Sequence, residues 1–172
     1  LVRSGRLEDL LRLGRDQGIG LVRWLEPKPG LGLHLERPED LFSEDDRRRA
    51  TALYRRADGE AECRGYPPVA YPGYEESPDL LGCLMGGLVH FYIDSLGNVE
   101  PCVFLPVSFG NIREESLAPI LARMREAVPR PLRRGCPALL LRETLAALAG
   151  RGAFPVPYES VRAEWDKMFS TL

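Results

Sequence analysis

Lysine is nearly absent from this chain. Of its 172 residues only Lys28 and Lys167 are lysine, and arginine carries the rest of the positive side-chain charge. Acidic residues are in slight excess and the formal net charge is −2. The composition therefore gives no basic surface of the kind that neutralises nucleic-acid phosphates or anionic lipid. Long apolar runs are missing too: none approaches the roughly 20 residues that span a bilayer. The opening stretch LVRSGRLEDLLRL has no continuous apolar segment behind its charges, so it reads as an amphipathic helix and not as a signal peptide. These absences predict a soluble cytoplasmic protein with neither nucleic acid nor membrane as partner. Cysteine is scarce, at four residues, and in that compartment it stays reduced unless it binds metal or does chemistry. A disulfide framework is not expected.

What is present is a 44% hydrophobic chain, enough to bury a core and form one domain, or one small domain plus part of another. Leu7, Leu10, Leu11 and Leu13 recur at helical spacing over residues 6–17, and Gly18 closes that helix. A short apolar strand over 19–25 follows and stops at Pro27, Pro29 and Gly30. Helix, glycine loop and buried strand make the αβ half of a β/α repeat. Loops after such strands carry function in parallel sheets and barrels, and Glu26, Pro29 and Gly30 occupy that place. Ser43, with Asp46 three residues on, predicts a capped helix running to about Ala57. The Gly-, Pro- and Tyr-rich text from Asp58 to Pro78 reads as a connector, and the boundary between the two parts is expected near Ser77. Beyond it, strands over 88–93 and 98–105 form a hairpin turned by Asp94-Ser95-Leu96-Gly97. Pro101 marks an edge strand. Helices are predicted over 114–127, 137–149 and 158–169.

Three cysteines frame the second part. Cys83, Cys102 and Cys136 each adjoin glycine or proline, where the backbone can approach a cluster closely and leave amides free for its sulfides. Pro137 starts a helix directly after Cys136, which favours thiolate there. Any one of them alone reads as a buried, inert thiol. Together, with no secretory signal, they predict a soft-metal site.

The order of motifs is Gly82-Cys83, a turn over Asp94 to Val99, Pro101-Cys102, Gly110-Asn111-Ile112, Glu115-Ser116-Leu117 and finally Cys136. It resembles the auxiliary iron–sulfur domain, of the SPASM or shorter twitch type, at the C-terminus of many radical S-adenosylmethionine enzymes. The resemblance is close over about 79–140 and loose over 18–60. It implies a 4Fe–4S cluster held by Cys83, Cys102 and Cys136, too few ligands for the two clusters of a full SPASM domain. It also implies an α/β fold, α+β overall: residues 1–77 as the last βα units of a partial barrel, and 78–172 as the hairpin-and-helix cluster domain. Glu26, Pro29 and Gly30 would then face the S-adenosylmethionine mouth. The CxxxCxxC motif of the radical-forming cluster does not occur here. The chain is therefore expected to be a fragment or subunit of an oxidoreductase or maturase, with the upstream barrel portion as partner and S-adenosylmethionine bound only in its company. Its substrate, a small molecule or a peptide, is not legible.

Three thiolates leave one iron open to substrate or a small ligand. Cys63, His90 and His34 are the other residues able to fill it, though each also reads as a core, hairpin or loop residue. Tyr66, Tyr71 and Tyr74 either line a channel or pack on the domain face. The rival readings are a non-catalytic module with structural zinc on the same cysteines plus His90 or Cys63, against which the C-x2-C spacing of zinc knuckles is missing, and an orphaned domain without metal.

Overall fold

Gly18, at φ +64, ends the first helix, α1 (Leu7–Asp16), in the left-handed conformation that glycine adopts at least cost. The computed structural model describes residues 1–28, 39, 41–59, 63–152 and 154–170. The chain divides into two compact units: Leu1–Pro27 with Glu39–Glu75, and Lys28–Pro38 with Glu76–Leu172.

In unit 1, α1 leads into β1 (Val22–Arg23), which pairs in parallel with β2 (Val69–Ala70) across helix α2 (Glu44–Gly59). The expected strand over 19–25 is thus only two residues long. Its partner explains why: β2 is bracketed by Pro68 and Pro72, and neither ring nitrogen can donate to a ladder. The cap expected at α2 is present as a reciprocal pair. The Asp46 amide donates to Ser43 Oγ at 3.1 Å, and the Ser43 amide donates to Asp46 Oδ2 at 2.9 Å. Arg3 Nε adds a bond to the same carboxylate at 3.0 Å. Leu11, Trp24, Ala50 and Tyr71 form the buried core. A single-turn helix, α3 (Pro72–Glu75), breaks the connector that read as irregular.

Unit 2 holds the hairpin, shorter than expected: β3 (Tyr92–Ile93) and β4 (Val99–Glu100) pair antiparallel. Gly97 takes φ +92 in the turn, and Asp94 accepts the Leu96 and Asn98 amides at 2.8 and 2.9 Å. β4 stops at Glu100, immediately before Pro101. On its other side Val99 exchanges bonds with Gly110 and Phe109, both at 2.9 Å, so the hairpin is sewn to the chain that follows. Next come β5 (Val107–Ser108) and α4 (Leu117–Ala127). The latter begins three residues later than its pattern predicts, because the Asn111 carbonyl takes the Glu114 and Glu115 amides in a separate turn.

The helix expected over 137–149 is broken into α5 (Pro137–Leu140) and α6 (Arg142–Ala149). Leu141, at φ −97 and ψ 2, makes the break, and both it and Leu145 are buried. β6 (Val156–Pro157) pairs in parallel with β5, a contact between distant segments with no periodic signature. A 3-10 turn, Tyr158–Ser160, and α7 (Arg162–Ser170) complete the unit. Trp165 is fully buried at its centre, stacked edge-on to Phe109 and Tyr158, and its indole N–H donates to the Ala127 carbonyl at 2.9 Å. The architecture is α+β, with small two-stranded sheets and no closed barrel among the described residues.

Candidate metal centre

Cys83 follows Gly82, whose φ of +75 and contact with Leu132 both require a glycine: a Cβ there would lie 2.9 Å from the Leu132 carbonyl oxygen. The turn delivers Cys83 into an antiparallel bridge with Leu132, closed by amide–carbonyl bonds of 2.9 and 3.1 Å. Cys136 lies four residues beyond Leu132. On the other side, the Gly86 amide donates to the Pro101 carbonyl at 3.0 Å, tying the Cys83 loop to the segment that carries Cys102. Two backbone ties therefore gather three cysteines spread over more than fifty positions of sequence. All three pack, partly buried, against the edge of the unit 2 core.

The electrostatics show the same gathering. Burial pushes the Cys83 thiol up to about 12; the Met85 amide, bonded to its sulfur, opposes this, while Cys136, Glu76 and Cys102 add to it. Burial likewise pushes Cys102 up to about 11, against the Phe104 amide and with Cys136 and Glu76 again adding. Cys83 and Cys102 thus share one local device, a sulfur that accepts the amide two residues on. Such N–H groups stabilise charge on sulfur, and a bound cation reverses the cost of burying it. The donor set, apolar surroundings and amide bonds fit an iron–sulfur cluster. Among the described residues no three His, Cys, Asp or Glu side chains close into a set for a single metal ion.

The positive helix end expected at Cys136 is that of a single turn, because α5 ends before the break at Leu141. Cys63 is buried in unit 1. The His90 carbonyl accepts the Gly87 amide at 2.9 Å, and its ring makes no hydrogen bond among the described residues. Glu26 is 5% exposed; its carboxylate accepts the Tyr71 hydroxyl at 2.8 Å and Arg47 Nε at 3.1 Å, and it lies against Gly73. Glu26 is thus held inside unit 1. Pro29, Gly30 and His34 lie outside the described residues. The connector tyrosines pack: Tyr71 is in the core, Tyr66 donates to Glu8 at 2.9 Å, and Tyr74 lies under Arg55. A cavity of about 890 Å³ in unit 2, between Phe109, Arg123, Phe154, Tyr158 and Asp166, is lined by none of the cysteines.

Glu76 was not singled out by any motif, yet its charge acts on both Cys83 and Cys102. No sequence signal distinguishes it from its neighbour Glu75.

No curated protein and no solved structure matches the chain. One family model does, over residues 83–137, a span that opens on Cys83 and closes one residue after Cys136. That model is the SPASM iron–sulfur cluster-binding domain, and residues 83–137 are consistent with a domain of that type.

Proposed function

We propose that unit 2 binds one auxiliary 4Fe–4S cluster through Cys83, Cys102 and Cys136, and that it serves a radical S-adenosylmethionine oxidoreductase or maturase. The observation that carries this is the convergence of the three cysteines at one edge of a core, inside the segment that matches the SPASM model. When bound, such a cluster supplies an electron-transfer or substrate-coordinating centre. The chain's own part is to hold it. The Cys83–Leu132 bridge and the Gly86–Pro101 bond fix the thiolates, the Met85 and Phe104 amides neutralise sulfur charge, and the core edge limits water.

The initiating chemistry belongs to a barrel portion bearing CxxxCxxC, in the same or a separate polypeptide, and this is the proposed partner. The proposed setting is cytoplasmic. Among the described residues no helix is long and apolar enough to cross a membrane.

Anaerobic reconstitution with iron and sulfide tests the reading. The expected product has broad visible sulfide-to-iron absorption and approaches one cluster per chain. Stoichiometric zinc without inorganic sulfide would overturn it. The 172-residue chain alone is expected not to cleave S-adenosylmethionine, since CxxxCxxC is absent from it.

A further inference from the structure

The cavity of about 890 Å³ in unit 2 is built by two helices and the chain packed beneath them. On α4, Glu126 and Ala127 follow Arg123 by three and four positions, so the three share one face. On α7, Arg162, Asp166, Phe169 and Ser170 share a face in the same way. The two helices are tied across: Trp165 Nε1 donates to the Ala127 carbonyl at 2.9 Å, and Arg130 Nη2 donates to the Phe169 carbonyl at 2.6 Å. The wall between them is aromatic. Phe109 and Tyr158 stack with ring centroids 4.4 Å apart and planes 22° from parallel, and Phe169 adds a third ring. The stack and the helix ties preform this wall, and the volume is that of an ordinary ligand site.

The charged lining is uneven. It holds three carboxylates, Glu126, Glu159 and Asp166, and two guanidiniums, Arg123 and Arg162. Both guanidiniums are engaged. Arg123 donates to Glu115 at 3.0 Å and to the Phe109 carbonyl at 2.8 Å, and Arg162 donates to Glu159 at 3.3 Å. Glu126 and Asp166 make no hydrogen bond or ion pair among the described residues, and the Tyr158 hydroxyl makes no hydrogen bond among them. The charge left over is negative, and it borders aromatic rings, whose faces attract cations. An anionic ligand would meet spare carboxylates and no spare guanidinium. A neutral one would cover both carboxylates without pairing them. A planar guanidinium suits both parts of the lining, because it stacks on aromatic rings and pairs with carboxylates through a fork of donors.

We infer that this cavity binds an organic cation of the guanidinium type, recognised by the aromatic wall and by the carboxylates of Glu126 and Asp166. The group belongs either to a small free molecule or to an arginine side chain on a peptide, and the chemistry recognised is the same. No cysteine lines the cavity, so the inference stands apart from the cluster reading.

Isothermal titration calorimetry on the full 172-residue chain, reconstituted anaerobically, tests it. The probes are N-acetyl-arginine amide, its uncharged isostere N-acetyl-citrulline amide, and an end-blocked Gly-Arg-Gly peptide. The arginine probe is expected to bind saturably, about ten-fold more tightly than the citrulline probe, and less tightly as salt rises. Glu126→Gln and Asp166→Asn keep side-chain size at exposed helix positions. Each is expected to weaken binding about three-fold, and the pair about ten-fold. Glu143→Gln removes the same charge from α6, outside the lining and 88% exposed, and is expected to bind like wild type. Tighter binding of the peptide than of the single residue identifies the source as an arginine side chain in a peptide; equal affinities identify a free cation. Equal binding of the arginine and citrulline probes, equal weakening by Glu143→Gln, or no saturable binding of either guanidinium probe overturns the inference and leaves the cluster reading intact. A chain that takes up no iron and sulfide overturns the cluster reading alone.

Discussion

Cys83 and Leu132 face each other across an antiparallel bridge, each amide bonded to the other's carbonyl at 2.9 and 3.1 Å. Nearly fifty residues separate them in sequence. Their pairing fixes the distance from the first cysteine to the last, because Cys136 follows Leu132 by four residues and a glycine turn at Gly135, φ +103. The candidate ligands Cys83 and Cys136 are thus linked by main-chain bonds, which side-chain substitutions nearby leave in place.

Removing a thiolate should therefore empty the site without unfolding unit 2. Cys83→Ala, Cys102→Ala and Cys136→Ala are each expected to lose most bound iron and sulfide while keeping the far-ultraviolet dichroism of wild type. Cys63→Ala, which alters unit 1, should retain both. Iron and sulfide analysis after anaerobic gel filtration reads the difference. Equal loss in Cys63→Ala would rule out the three-cysteine set.

Gly86 ties the Cys83 loop to Pro101, and it does so at φ +70 with no room for a side chain: a Cβ would lie 2.5 Å from Val128 Cγ2. Gly86→Ala is expected to destabilise unit 2 by about 2 kcal/mol through left-handed strain and overpacking. Urea unfolding followed by Trp165 fluorescence, in a Trp24→Phe background, measures it.

In unit 1 the reciprocal cap predicts a separate loss. Ser43→Ala removes the oxygen that receives the Asp46 amide and should cost about 1 kcal/mol. The same titration read by Trp24, in a Trp165→Phe background, is expected to show a lowered midpoint for unit 1.

Asp94 gives the hairpin a dependence on acid. Burial raises its pKa, but the bonds from Asn98, Leu96 and Gly97 together hold it below its ordinary value. A carboxylate with a depressed folded pKa adds stability above its unfolded pKa, and that stability is lost as pH falls through the folded one. Thermal unfolding of wild type should therefore weaken below about pH 4. Asp94→Asn should be less stable at neutral pH and should lack the part of the acid loss that Asp94 contributes. A wild-type loss of unchanged size in Asp94→Asn would show that other carboxylates account for it.

Much was legible in the sequence because it is local. Leucine spacing gave α1, Ser43 with Asp46 gave the start of α2, and the glycine turn at Gly97 gave the hairpin, since each depends on residues within a turn or two. The three candidate cysteines could be singled out because cysteine type and its glycine and proline neighbours are chemical signals in one dimension, and the matched segment spans them. Tertiary structure decided what needed a distant partner. The strands shrank to two residues where prolines bounded the facing chain, and β5 found β6 across some fifty residues. The helix after Pro137 broke at Leu141, where both Leu141 and Leu145 are buried. Glu76 and Glu75 are the same residue type in adjacent positions, yet the charge of Glu76 acts on Cys83 and Cys102 while the Glu75 carboxylate accepts the Tyr54 hydroxyl. Composition cannot express that difference, because it arises from which backbone segments meet once the core has formed.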